Sequence, residues 1–212
     1  MQFRFSKALL GLGAACAVSA QITELHQEGP FALKVKGQAS NSSINGYLKT
    51  YNFPGLPSPT FIGYEPTAYP TLGDSQYEWY FNYTGFVQYR GHEVGFLLAH
   101  PTLNTTEPSP YHGQVLSLTY LPNSNVAIPL LGNGGYFDIG FDADNKTFSV
   151  GEFDDSMYVP GVQPEYNDDL GYYSWAVCWQ FSGLYAQTLS WITAGTPHNP
   201  TCELVDLTRV EL

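Results

Sequence analysis

The chain has 212 residues and a formal net charge of −11, with eight Lys and Arg set against 19 Asp and Glu. Phosphate recognition needs clusters of Lys and Arg, so this balance disfavours nucleic acid and an anionic membrane surface as partners. The length suits one domain with a sizeable core, and 16 Tyr beside only two Met is a balance shared by extracellular glycan-facing proteins and by plain β-sandwiches.

The first twenty residues read as a secretory signal peptide. Arg4 and Lys7 form a short basic start, residues 8–18 are small and apolar, and Val18-Ser19-Ala20 ends the stretch with the small residues a signal peptidase accepts. The apolar run is too short to span a bilayer. Cleavage would leave 21–212 as a single all-β secreted domain beginning at Gln21, and would remove two basic residues and Cys16. The formal net charge would move from −11 to −13. No apolar tail follows residues 205–212, so no lipid anchor is expected.

Period-two alternation of apolar side chains recurs along the rest of the chain and predicts half-buried strands. Phe31, Leu33 and Val35 share one face. Residues 54–70 hold five prolines and read as an ordered loop around a short strand at 60–64. Tyr77, Trp79, Phe81 and Tyr83 alternate with Glu78, Tyr80 and Asn82. After a loop at 103–113, Leu116, Leu118 and Tyr120 alternate in their turn. Residues 136–150 form the clearest hairpin, with Phe137, Ile139 and Phe141 on one face and a turn at Asp142–Lys146. A third loop, 157–171, leads to a strand in which Trp175, Val177, Trp179 and Phe181 share a face, and residues 203–211 form the last strand. The expectation is a single-domain antiparallel β-sandwich or barrel of about ten strands, with a β-trefoil as the alternative.

Secretion changes how the remaining residues are read. Cys178 and Cys202 are expected to form a disulfide. Asn41, Asn82, Asn104 and Asn145 each begin an Asn-x-Ser/Thr sequon and are expected at the surface as glycosylation acceptors. A secreted hydrolase of glycosides would need two carboxylates facing one cleft. Glu93 and Glu152 are the candidates, while Glu78 reads as an ordinary outward carboxylate. Asp142, Asp144 and Asn145 loosely resemble a calcium loop but lack its glycine and distant Glu. Asp154-Asp155 and Asp168-Asp169 are the other acidic pairs that divalent ions would seek. His26, His92, His100, His112 and His198 show no zinc spacing, and there is no Gly-x-Ser-x-Gly elbow. A mature start at Gln21 sets aside copper-dependent polysaccharide oxygenases, which begin with His. No catalytic constellation, metal or cofactor is implied. Tyr64, Tyr69, Tyr111, Tyr158, Tyr166, Tyr172 and Tyr173 fall in or near loops, where a flat ring is free to stack on a sugar.

The C-terminal run is the most distinctive: Trp175-Ala-Val-Cys178, then Trp191, then Gly195-Thr-Pro-His-Asn199-Pro200-Thr-Cys202, closing on Arg209-Val210. Together with Phe31-Ala-Leu-Lys-Val35 it resembles a group of small secreted proteins of filamentous fungi that carry no assigned activity. The C-terminal run carries no catalytic signature; secretion, acidity, the loop tyrosines and the lack of a catalytic constellation lead to the expectation of an extracellular, non-enzymatic protein. The expected role is association with the cell wall or a host surface by glycan binding, as a monomer. A carbohydrate-active hydrolase and a secreted effector acting through protein contacts are the alternatives.

The first expected outcome concerns the cysteines. Closing a loop of about 25 residues stabilises by about 3–4 kcal/mol in the chain-entropy picture, so Cys178→Ser is expected to lower the melting temperature by several degrees. A melting curve that is the same with and without reductant would show that the bridge contributes nothing.

Overall fold

The computed structural model describes residues 24–51, 60–99, 113–132, 135–151, 153–167, 170–181 and 185–212. The expected signal peptide and Gln21 lie outside these residues, as do His100, Asn104, Tyr111, His112, Glu152 and the Asp168-Asp169 pair. Thirteen strands are present: β1 (His26–Gly37), β2 (Asn45–Tyr51), β3 (Thr60–Glu65), β4 (Trp79–Tyr89), β5 (His92–Ala99), β6 (Gln114–Thr119), β7 (Val126–Leu131), β8 (Asp138–Phe141), β9 (Thr147–Gly151), β10 (Leu170–Tyr172), β11 (Trp175–Phe181), β12 (Tyr185–Ile192) and β13 (Glu203–Glu211). One turn of 3-10 helix at Asp155–Met157 is the only helical element among the described residues. The fold is all-β, as expected, with more strands than the alternation marks.

All thirteen strands belong to one antiparallel sheet. From β5 the pairings run through β4, β1, β13, β11, β12, β7 and β6. They return from β6 to β5 at Leu98↔Val115 and Ala99↔Gln114. The sheet therefore closes on itself, but not as a regular barrel. β2 bridges β1 to β3, and β3 in turn joins β12 and β7. β8, β9 and β10 extend from the other half of the β5 edge. The β8–β9 turn bends back so that Lys146 bridges Thr208 on β13.

The alternation seen in the sequence becomes the core. Phe31, Leu33, Val35, Trp79, Phe81, Leu97, Leu116, Ile139, Phe141, Trp175 and Val177 pack inside the closed sheet. Trp175 and Trp191 meet edge to face at 4.8 Å, and Trp175 Nε1 donates to the Thr147 carbonyl at 2.8 Å, which satisfies a donor that burial would otherwise strand. The 136–150 hairpin serves two cores at once. Ile139 and Phe141 face the main one, while Phe148 and Val150 join Tyr89 and Val94 in a smaller cluster on the opposite face. A third cluster of Val126, Ala176, Cys178, Ile192 and Cys202 sits on the outer face of β11 and β12, held by the Cys178–Cys202 disulfide.

Two expectations drawn from periodicity fail. Tyr120 lies past the end of β6 and is exposed, and the β11 pattern stops being buried at Trp179. The sequon at Asn82 is also corrected. Its residue is 1% exposed and its Oδ1 accepts from Gln27 Nε2 at 2.8 Å, so it lies inside the β1–β4 pairing rather than at the surface. Asn41 and Asn145 are exposed in turns, and Asn145 takes a left-handed φ of 58°, a conformation Asn tolerates better than most residues.

Gly140 marks the tightest approach in the β5–β8 pairing. A Cβ there would stand 2.7 Å from the Glu93 carbonyl oxygen and 2.5 Å from the Phe148 ring. Gly140→Ala is expected to destabilise by about 1–3 kcal/mol through overpacking, read as a shift of the urea midpoint at constant m-value. An unchanged midpoint would mean that this strand pair is more loosely packed.

Candidate functional site

The most distinctive surface feature grows out of β11 and β12. These strands pair with each other over their full length, from Trp175↔Trp191 to Phe181↔Tyr185. Their outer partners stop early: among the described residues β13 pairs β11 only at Ala176 and Val177, and β3 meets β12 only at Thr188. The hairpin therefore overhangs the closed sheet. Trp179, Phe181 and Tyr185, which would have pointed inward, emerge beyond the wall at 41%, 73% and 60% exposure. Trp179 and Tyr185 lie in an offset stack, with centroids 5.1 Å apart and planes 28° apart. Trp179 and Phe181 lie on one face of β11 by the period of the strand, and Gln187 stands directly across from Trp179.

This arm is braced. Where β13 would have supplied backbone, side chains take its place: Trp179 N–H donates to Thr201 Oγ1 at 3.0 Å and Asn199 Nδ2 donates to the Trp179 carbonyl at 2.9 Å. Thr201 is itself held by Asn199 Oδ1, through its N–H at 3.0 Å and its hydroxyl at 2.7 Å. The neighbouring Cys178–Cys202 bridge fixes the same segment. Asn125 pins the approach to it, donating to the Ala194 and Thr196 carbonyls and accepting from the His198 N–H. The Asn-Pro-Thr-Cys run thus holds an exposed tryptophan in place from behind.

A second arrangement covers one end of the core. Arg209 pairs with Glu28 and lies over the Phe31 and Phe141 rings at 4.6 and 5.6 Å. Tyr83 donates its hydroxyl to Glu28 Oε1 at 3.1 Å, and His26 stacks on Tyr83 at 5.2 Å. Burial, and then the bond to Glu28, raise the Tyr83 phenol above its ordinary value, with Glu93 acting in the same direction. A phenol so held keeps its proton and is a poor nucleophile. Both Glu28 oxygens are committed. Glu93 accepts from Gln88 Nε2 at 2.7 Å through Oε1, while its buried Oε2 has no hydrogen-bond partner among the described residues. Glu93 therefore neighbours Tyr83; its expected companion, Glu152, lies outside the described residues. Glu78 accepts from Gly73 N–H and from the Tyr80 hydroxyl, the structural role expected of an outward carboxylate.

The other predicted groups are dispersed. Tyr64 is buried and its hydroxyl accepts from Asn45 N–H, so it offers no face to a ligand. Tyr69, Tyr158, Tyr166, Tyr172 and Tyr173 are exposed, and Tyr166 leans edge-on against Phe153. Asp142 spends Oδ1 on the N–H groups of Asp144 and Lys146 and Oδ2 on the Tyr173 hydroxyl, a turn-building use of the residues that resemble a calcium loop. Asp154 caps the 3-10 turn through Ser156. His92 sits in the β4–β5 hairpin and His198 is exposed. No group of three or more potential metal ligands occurs among the described residues.

Fold and site together define an all-β, acidic protein with a braced aromatic arm. No protein-family model, curated protein or solved structure matches the chain.

The Tyr173–Asp142 bond has a pH signature. Burial first, then donation to Asp142, push the Tyr173 phenol up to about 12 from its ordinary 10.0. The folded state then holds this proton more tightly than the unfolded chain, so the bond's stabilisation is complete below pH 10 and is lost as pH rises towards 12. Tyr173→Phe is expected to flatten that part of the alkaline melting profile relative to the parent. Parallel profiles would show that the bond does not persist in solution.

Proposed function

We propose that this is a secreted, non-enzymatic extracellular protein that associates with a cell wall or host surface by binding glycan through the β11–β12 arm. The observation that carries this reading is the exposed, braced set of Trp179, Phe181 and Tyr185. Large apolar rings are ordinarily buried, and exposing three in part on one short hairpin forfeits a share of the about 1.5–3 kcal/mol that full burial of such a side chain supplies. Their amphipathic neighbours suit a sugar, which presents a C–H face to a ring and hydroxyls to its rim. Gln187 stands beside the rings to meet such hydroxyls. A site built on paired strands and locked by side-chain bonds holds its geometry before the ligand arrives, which limits the ordering cost of binding. The negative charge fits a neutral or cationic polysaccharide better than an acidic one.

Trp179→Ala and Tyr185→Ala are each expected to weaken retention on insoluble chitin, β-glucan or mannan by about tenfold, equivalent to about 1.4 kcal/mol. Tyr69→Ala is expected to leave it unchanged. Failure of the parent protein to bind any of the three polymers would reject the reading. Release of reducing sugar that Glu93→Gln abolishes would replace it with hydrolysis.

A further inference from the structure

A separate surface has a different chemistry. The β4 strand carries four residues, 84–87, opposite the single Val94 of β5, between the pairs Tyr83↔Gly95 and Gln88↔Glu93. Such a bulge turns side chains out of the ladder, and Phe86 and Val87 are exposed there. The loop of residues 153–167 exposes six more large apolar side chains, among them Met157, Val159, Val162 and Tyr166. The loop is organised: Asp154 caps its 3-10 turn, Val162 N–H donates to the Val159 carbonyl, and Phe153 meets Tyr166 edge to face at 6.0 Å. Its apolar groups are held outward by local structure.

Two cavities meet at Tyr166. One, of about 230 Å³, is walled by Val87, Val94, Phe96 and Val150, with Asp138 among its lining residues. The other, of about 420 Å³, is walled by Met157, Val159, Val162 and Pro164, with Asp154 and Glu165. Together they form a trough whose described lining residues include nine apolar side chains, three acids and three amides, with no Lys or Arg among them.

We infer that this trough is a second binding site, distinct from the aromatic arm, and that it takes a cationic amphipathic peptide segment of a partner protein. Monomers seldom expose apolar patches of this kind without a use for them. The charge selects the occupant. A second copy would set acidic lining against acidic lining, and an anionic lipid surface would meet the same repulsion from a chain of net charge −11. The walls are chiefly aliphatic, which suits Leu- or Ile-type anchors rather than sugar rings. A peptide that alternates apolar anchors with Lys or Arg fills the trough and answers the acids.

The experiment is a titration of the full-length protein with a fluorescent peptide of repeating Leu-Lys-Lys-Leu units at near-physiological salt. A Ser-Lys peptide of equal charge and a Leu-Glu peptide serve as comparisons. Saturable binding of the Leu-Lys peptide is expected, weakened by about tenfold in Tyr166→Ser and in Met157→Ser and unchanged in Trp179→Ala, which separates this site from the glycan reading. Both Tyr166 and Met157 are exposed, so neither change threatens the fold. Equal binding of the Ser-Lys peptide would overturn the proposal, because net charge alone would then explain the affinity. So would affinity untouched by both loop variants. Sedimentation showing a dimer that Tyr166→Ser dissociates would also overturn it, by assigning the trough to a second copy.

Discussion

An antiparallel strand has two edges, and this protein depends on dividing single edges between two partners. β1 gives one edge to β4 over its first half and to β2 over its second. β5 does the same with β8 and β6, and β12 with β3 and β7. Each division requires the strand to bend between partners, and the accumulated bending lets one sheet close around a core without the constant tilt of a regular barrel. Closure pairs β5 with β6 and so removes edges that would otherwise template aggregation, while the three-residue β10 remains a short edge. It also leaves overhangs, because neighbouring strands differ in length and register, so that one runs on past the end of its partner. Both candidate surfaces arise there: the aromatic arm where β11 and β12 outrun β13 and β3, and the Phe86-Val87 bulge where β4 continues beyond its pairing with β1.

The overhangs need local bracing, and the chain supplies it differently at each place. On the arm, Asn199 and Thr201 replace a missing strand with side-chain bonds, backed by the Cys178–Cys202 bridge. At the β8–β9 turn, the Lys146–Asp206 ion pair at 3.0 Å and the Arg209 N–H to Asn145 carbonyl bond at 2.9 Å tie the hairpin to β13. An ion pair this exposed contributes little by itself; the backbone bond and the Phe141 packing hold the hairpin in place. The Glu28–Arg209 pair differs because Arg209 spreads over two core rings, so its removal would open the end of the core as well as strand a carboxylate.

Period two exposed most of the fold, because half-buried strands print their burial on alternate residues. Phe31, Trp79, Leu116 and Ile139 are inside for that reason. β7 was opaque, since Val126 to Leu131 are buried on both faces and do not alternate. Trp179 and Phe181 misled for the opposite reason: they continue the alternation of Trp175 and Val177 into a region where no wall remains to pack against. Alternation reports which face a side chain occupies, whereas burial depends on whether a distant strand covers that face. The loop tyrosines named from sequence were marked by their neighbourhood in the chain, yet the best-presented rings stand on a strand. Glu28 and Arg209, 181 residues apart, became a pair only through the β1–β13 register.

Charge gives the two surfaces a common logic. With a net charge of −11 the protein disfavours acidic partners in general, and specificity must come from what each site adds to that background. The arm adds ring faces with amide and hydroxyl groups close by, features that under the proposed reading would discriminate among uncharged ligands by shape. The trough adds aliphatic depth, which under the proposal would discriminate among cationic ones by their apolar anchors. Two such surfaces on one closed sheet would let the protein hold a polymer by one and a polypeptide by the other. Simultaneous occupancy would then raise the apparent affinity of each through local concentration, provided the connecting geometry allows both to engage.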